Sequence, residues 1–212
     1  MSIVVHHLEN SRSQRILWLL EELGLPYEVK RYARDPKTML APPSLKAIHP
    51  LGKSPVIDDG GCVVAETGAI VEYLVEKEGG RLGPGADRAA VLRYRHFLHY
   101  AEGSLMPPLL VLLVLQRMGP LGWPARKPLQ KMLNVHLDWL ESELASRSWF
   151  AGDTFTAADI LMSFPLEAAQ QRGGLDASRP KLMEWLARIH ARPAYGRALE
   201  RGGPYSFARS AG

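Results

Sequence analysis

The sequence predicts a two-part fold, a small α/β domain over residues 1–79 followed by an all-helical domain over residues 88–212. Three observations carry this. Runs rich in β-branched residues alternate with amphipathic stripes as far as Leu74. A glycine-rich stretch, Gly79-Gly80-Arg81-Leu82-Gly83-Pro84-Gly85, then breaks the pattern and marks a linker, set at 80–87. Beyond it the apolar residues recur only at helical spacing.

Ile3-Val4-Val5, continued by His6-His7-Leu8, reads as a first strand because β-branched side chains suit the pleated surface. Glu9-Asn10-Ser11 interrupts it. Ile16, Leu19, Leu20 and Leu23 fall at i, i+3, i+4 and i+7, which predicts a helix from about Ser13 to Leu23. Gly24 and Pro26 end that helix. Tyr27-Glu28-Val29-Lys30 alternates as a second strand, so a parallel βαβ unit is expected. Residues 35–48 are proline-rich and polar, with a short helix expected near Ser44–Ile48.

Pro55 suits the start of a strand, where a missing N–H breaks no ladder, and Val56-Ile57 continue it. Asp58-Asp59-Gly60-Gly61 is a turn of about four residues, and Cys62-Val63-Val64-Ala65 returns to complete a hairpin. Cys62 is expected to be a small core residue. Glu66-Thr67 then stand directly before Ala69, Ile70, Tyr73 and Leu74, a helical stripe. A strand end meeting a helix start beside a hydroxyl is a ready anion site.

In the second half, Ala90, Tyr94, Phe97, Leu98 and Ala101 share one helical face. Pro107-Pro108 should bend or break that helix before the apolar run Leu109–Leu115. Leu133, Leu137, Leu140 and Leu144 form another stripe, and Leu182, Trp185, Leu186 and Ile189 a third. Thr156-Ala157-Ala158-Asp159, flanked by Phe155 and Ile160, has the form of a capping box with a hydrophobic staple.

The net charge of +4 is mild and its basic residues are dispersed, which argues against a nucleic-acid partner. One cysteine excludes an internal disulfide framework and suits a reducing, cytoplasmic setting. The N-terminus lacks the basic and apolar regions of a secretory signal, and Leu109–Leu115 is too short to span a bilayer, so no membrane partner is expected. His96, His99 and Glu102 share a helix, but one helix cannot close a coordination shell, and no metal is expected. The segment Asn10–Arg15 between the first strand and first helix contains no cysteine, which rules out dithiol exchange there.

The order Lys53-Ser54-Pro55, hairpin, Glu66-Thr67, helix resembles the glutathione-binding half of the glutathione transferase superfamily. SRSQRILWLLEELGLPYE together with HPLGKSP is most similar to a serine-type, microbial subgroup. The β-α-β, β-β-α order resembles the thioredoxin-like fold, and an added helical domain is also the transferase architecture.

That resemblance implies an enzyme that conjugates glutathione to hydrophobic electrophiles, with detoxification as its setting and reduction of organic peroxides as a related activity. It implies a cis Pro55, a Ser54 whose backbone pairs with the cysteinyl part of glutathione, and a Glu66–Thr67 clamp on the γ-glutamyl end. Ser11 or Ser13 would donate a hydrogen bond to the glutathione thiolate. Ser11 is favoured, because its spacing to Arg15 resembles that of the serine-type classes. The family's basic residue for the glycine carboxylate is replaced by Ala41, and Lys53 is taken as its substitute. Glu102 would reach across a homodimer towards the other subunit's γ-glutamyl ammonium. The electrophile pocket would be lined near His7, Met106, Leu109 and Trp123. The competing expectation is a non-catalytic binding or interaction module built on the same fold.

Overall fold

The computed structural model describes residues 2–208, and these form two compact units. The first is built on a four-stranded sheet in the order β2-β1-β3-β4. Strand β1 (Ile3–Leu8) pairs parallel with β2 (Tyr27–Tyr32) and antiparallel with β3 (Val56–Asp59), which pairs antiparallel with β4 (Cys62–Ala65). Val5 sits opposite both Val29 and Ile57. With a neighbour on each side, β1 is buried along most of its length, as its unbroken apolar start requires. Helix α1 (Gln14–Leu23) is the crossover between β1 and β2, and Gly24 closes it at φ 65°.

The hairpin is tighter than the sequence suggests. Its loop is only Gly60-Gly61, both at positive φ, and Asp58 Oδ1 accepts from the Gly61 N–H at 2.7 Å. Two consecutive glycines permit a two-residue turn that other side chains would resist. Cys62 lies on the outer strand and is exposed, contrary to the expectation of a core position. Helix α2 (Thr67–Lys77) is tied to the hairpin through Asp59, whose Oδ2 accepts from Tyr73 Oη and Lys77 Nζ, each at 2.7 Å.

Residues 190–208 join this first unit, although the sequence reading groups them with the helical domain; residues 209–212 lie outside the described residues. The reason is legible in α1, where Ile16, Leu17, Trp18, Leu19 and Leu20 are buried all round. A helix apolar on every side needs cover on both faces. The sheet supplies one cover and helix α8 (Pro193–Gly202) the other. Tyr195 meets Trp18 edge-on at 5.2 Å, Arg192 Nη2 donates to Glu22 Oε2 at 2.8 Å, and Arg197 Nε donates to Glu21 Oε2 at 2.7 Å.

The second unit, residues 83–189, holds α3 (Arg88–Tyr100), α4 (Met106–Arg117), α5 (Trp123–Ala145), α6 (Ala157–Arg172) and most of α7 (Pro180–His190). Pro107-Pro108 do not break the helical run, one of the two outcomes expected. A π-helical turn, Ala101–Leu105, joins α3 to α4, and the prolines follow it in the first turn of α4. The run from Arg88 to Arg117 is consequently continuous, with a stretch apolar enough by length and composition to cross a membrane. That differs from the expectation based on Leu109–Leu115 alone. Its inward face is part of the unit's core, where Phe97 stacks on Trp139 of α5 at 5.7 Å and 10°.

Candidate active site

The turn between β1 and α1 places two serines at the end of the central strand. Ser11 is 6% exposed, and its Oγ lies 2.7 Å from Ser13 Oγ and accepts from the Ser13 N–H at 3.2 Å. Ser13 occupies the N-cap position of α1 yet makes no side-chain capping bond. Its hydroxyl is fully buried, 2.8 Å from His7 Nδ1 and 3.3 Å from the Leu8 carbonyl. Ser13 is thus held inside the fold, and Ser11 stands at the outer end of the same chain of hydroxyls. That geometry favours Ser11 over Ser13 as the group able to meet a ligand.

His7 closes the inner end. Strand alternation turns His6 and His7 to opposite faces of β1: His6 Nδ1 meets Tyr32 Oη at 2.8 Å, and His7 faces α1 and α8. Burial, with Arg31 on β2 adding repulsion, holds His7 down to about 4, while the Gly202 carbonyl and Glu9 act weakly the other way. The imidazole is therefore neutral at pH 7. As pH falls from about 6.5 towards 4, the unfolded chain takes up a proton that the folded one refuses, so stability is lost across that window. A loss of roughly 3 kcal/mol is expected from the shift. The urea midpoint of the wild type relative to that of His7→Asn should therefore fall as pH drops through that window.

Of the other predicted residues, Ser54 meets the same strand end. The Ser54–Pro55 peptide is cis, as the resemblance implies. Ser54 Oγ donates to the His6 carbonyl at 2.7 Å and accepts from the Leu8 N–H at 3.2 Å. Its side chain is thereby spent on anchoring the loop to β1. Lys53 is exposed.

Glu66 precedes α2 with φ 72° and ψ 126°, a region that side chains other than glycine rarely adopt. Strain of this kind persists where the surroundings enforce it, and it clusters at ligand clamps. Thr67 opens α2 and is buried beside it. Glu66→Gly should relieve the strain and raise stability by about 1 kcal/mol in chemical denaturation, while weakening binding of a ligand amine by removing the carboxylate.

In the second unit, Glu102 lies half-buried within the π-helical turn, an irregularity often found at functional positions. Of the residues expected near an electrophile pocket, Met106 and Leu109 are buried core, Trp123 is exposed, and His7 is buried with its ring engaged by Ser13 and Gly202. His7 is therefore a partner of the serines, with no open face to line a pocket.

Residues 2–76 match a family model described as glutathione S-transferase, N-terminal domain, and residues 122–193 match the corresponding C-terminal domain. The chain belongs to the glutathione S-transferase family. It is 39% identical to glutathione S-transferase 3 of Schizosaccharomyces pombe, across 94% of this chain and 87% of that protein. Identity to glutathione S-transferase 1 of Saccharomyces cerevisiae is 34%, across 94% of each. Among solved structures, a glutathione S-transferase from Actinobacillus pleuropneumoniae superposes with a TM-score of 0.87 at 35% identity, covering 99% of this chain and 97% of that one. A glutathione transferase family member from Pseudomonas fluorescens, solved with two glutathione bound, has a TM-score of 0.80 at 26% identity, covering 94% and 92%.

For this glutathione S-transferase family member, sequence reasoning missed His7 as the partner of Ser13. One signal was present: a buried strand carrying two adjacent histidines must turn one of them towards the crossover helix.

Proposed function

We propose that the protein binds glutathione in its first unit, holds its sulfur as the thiolate with the Ser11 hydroxyl, and transfers it to hydrophobic electrophiles. The observation that carries this reading is the convergence at Leu8. Its N–H meets the side chain of Ser54 before the cis proline, and its carbonyl lies against Ser13, the partner of Ser11. The residue assigned to the cysteinyl backbone and the residue assigned to the sulfur thus share one strand end. Glu66 and Thr67 supply the γ-glutamyl contacts, and Lys53 that of the glycine carboxylate.

The chemistry follows from charge. A hydroxyl donor and the positive end of α1 both favour sulfur as an anion. Lowering a thiol from about 8.5 to about 6.5 raises the ionised fraction at pH 7 from about 3% to about 75%. The thiolate then attacks the electrophilic carbon, a C–S bond forms, and the leaving group departs with its electron pair. Fixed orientation of the two reactants supplies the rest of the rate. With a hydroperoxide, the same thiolate would attack the O–O bond to give an alcohol and a sulfenic acid, which a second glutathione reduces to disulfide and water.

The working form is a cytoplasmic homodimer in which Glu102 of each copy faces the γ-glutamyl ammonium bound by the other. Its support is a half-buried carboxylate held in a π-helical turn. Calorimetry with glutathione, followed by conjugation of an activated aryl halide, tests the whole reading. Binding with turnover is expected. Binding without turnover would favour a non-catalytic module, and no heat at millimolar glutathione would remove both.

A further inference from the structure

An apolar helix in a soluble core is mostly covered, yet only 44% of the most apolar eighteen-residue stretch between Arg88 and Arg117 is buried. The uncovered part lies on α4. Leu110, Val111, Val114 and Met118 stand at i, i+1, i+4 and i+8, so they share one face, and each is 46–50% exposed. The stripe runs on through the 3₁₀ turn Gly119–Gly122, where Leu121 is 82% exposed, to Trp123, which is 68% exposed. Gly122 lets this turn fold tightly on α4, since a Cβ there would strike the Leu115 carbonyl. A contiguous exposed apolar surface of this kind marks a place of contact.

Charge decides what the surface can meet. Residues 103–137 contain no Asp or Glu, and their four cations, Arg117, Arg126, Lys127 and Lys131, are all exposed. Trp123, Arg126 and Lys127 line one open hollow on α5 together with Gln130. Among the described residues none of the four cations is in an ion pair. The next carboxylates along α5 are committed to α7 and the loop before it. Asp138 Oδ1 pairs with Arg179 Nη2 at 2.8 Å, and Glu141 accepts from the Lys181 and Leu182 N–H groups at 2.9 Å. Symmetric contact with a second copy would therefore set cations against cations with no acid between them. An anionic bilayer answers both halves of the pattern, with apolar chains for the stripe and phosphates for the cations.

We propose that the exposed face of α4 and the turn into α5 rest on an anionic lipid surface, with Leu121 and Trp123 entering the headgroup boundary and the four cations meeting lipid phosphates. Tryptophan favours that boundary, where its ring is half in apolar surroundings and its N–H stays wet. The contact is peripheral, because Leu109 and Leu112 on the other face of α4 are buried in the core of the unit. The shortness of Leu109–Leu115 bears on spanning a bilayer, whereas a surface contact asks only for one apolar face beside basic residues. The inference stands apart from the catalytic reading and uses none of its residues as evidence except Trp123, whose exposure it explains.

The measurement is co-sedimentation of the full chain with phosphatidylcholine vesicles, with and without about 30 mol% phosphatidylglycerol, in about 0.15 M salt. Partitioning onto the anionic vesicles should exceed that onto the neutral ones by at least about tenfold. Arg126→Gln with Lys127→Gln should weaken it about 25-fold, at about fivefold for each cation. Leu121→Asp should weaken it by at least about tenfold. Lys30→Gln with Lys37→Gln removes the same charge from exposed positions in the first unit and should change binding less than about threefold. Equal partitioning onto both kinds of vesicle overturns the proposal. So does an equal loss in the two charge pairs, which would reduce the attraction to net charge, or full binding by Leu121→Asp. Sedimentation equilibrium without lipid tests the rival occupant. A wild-type dimer that Leu121→Asp splits into monomers would make this face a contact between copies, and the proposal falls.

Discussion

Ser11→Ala should lower kcat for glutathione conjugation roughly 30- to 100-fold at pH 7 while the KM for glutathione changes by less than about threefold. A hydrogen bond to an anion is worth about 1.5–3 kcal/mol, and the variant loses one such bond that forms only once the sulfur is charged. In the proposed binding mode the γ-glutamyl and cysteinyl ends would keep their contacts at Glu66, Thr67 and Ser54, so affinity should hold. The loss should also shrink as pH rises, because the thiol ionises unaided near its free value of about 8.5. A kcat profile whose midpoint moves upward in the variant is the signature to look for. Equal turnover in variant and wild type across the range would transfer the role to another donor.

Asp159→Ala should destabilise the protein by roughly 4 kcal/mol and lower its melting temperature by about 10 °C. An exposed cap of this kind contributes only about 1 kcal/mol. Asp159 does more, because it is fully buried. One oxygen accepts from the Phe150 N–H at 2.9 Å; the other accepts from the Thr156 N–H at 3.0 Å and Thr156 Oγ1 at 3.1 Å. Truncation leaves three donors inside the helical unit without an acceptor. Asp159→Asn should cost less, about 2 kcal/mol, since its amide keeps one oxygen and turns an N–H towards a donor. Urea denaturation followed by tryptophan fluorescence would separate the two variants.

The pH dependence gives a second check on Asp159. Burial pushes its carboxyl up to about 6, against hydrogen bonds from Phe150 and Thr156 that pull the other way. The folded chain then holds this proton more tightly than the unfolded one, so its contribution falls as pH rises from about 4 to 6. The stability gap between the wild type and Asp159→Ala should therefore narrow as pH rises through that window. A variant that keeps the wild-type slope would show that the titration belongs to another group.

Local rules acting on neighbouring residues made much of this protein readable in advance. The βαβ unit and hairpin follow from β-branched runs, the i, i+3, i+4, i+7 spacing of Ile16 to Leu23, and glycines at Gly24, Gly60 and Gly61. The capping box at Thr156 and Asp159 was visible for the same reason, since four consecutive residues contain all of it. The family was legible because Ser54-Pro55 and Glu66-Thr67 stand in a fixed order around that hairpin.

Tertiary structure decided whatever depended on residues distant in sequence. Helix α8 returns to α1 because an all-round apolar helix must be covered twice, and no local pattern says which segment will do it. The exposure of Cys62 depends on β4 being the outer strand, a matter of sheet order. The π-helical turn before Pro107-Pro108 reflects a helix kept continuous by its packed face. Spacing to Arg15 favoured Ser11 over Ser13, but the physical ground for that choice came only with the fold. A hydroxyl's role is set by the groups it faces, and for Ser13 those are a histidine and a main-chain carbonyl on the preceding strand.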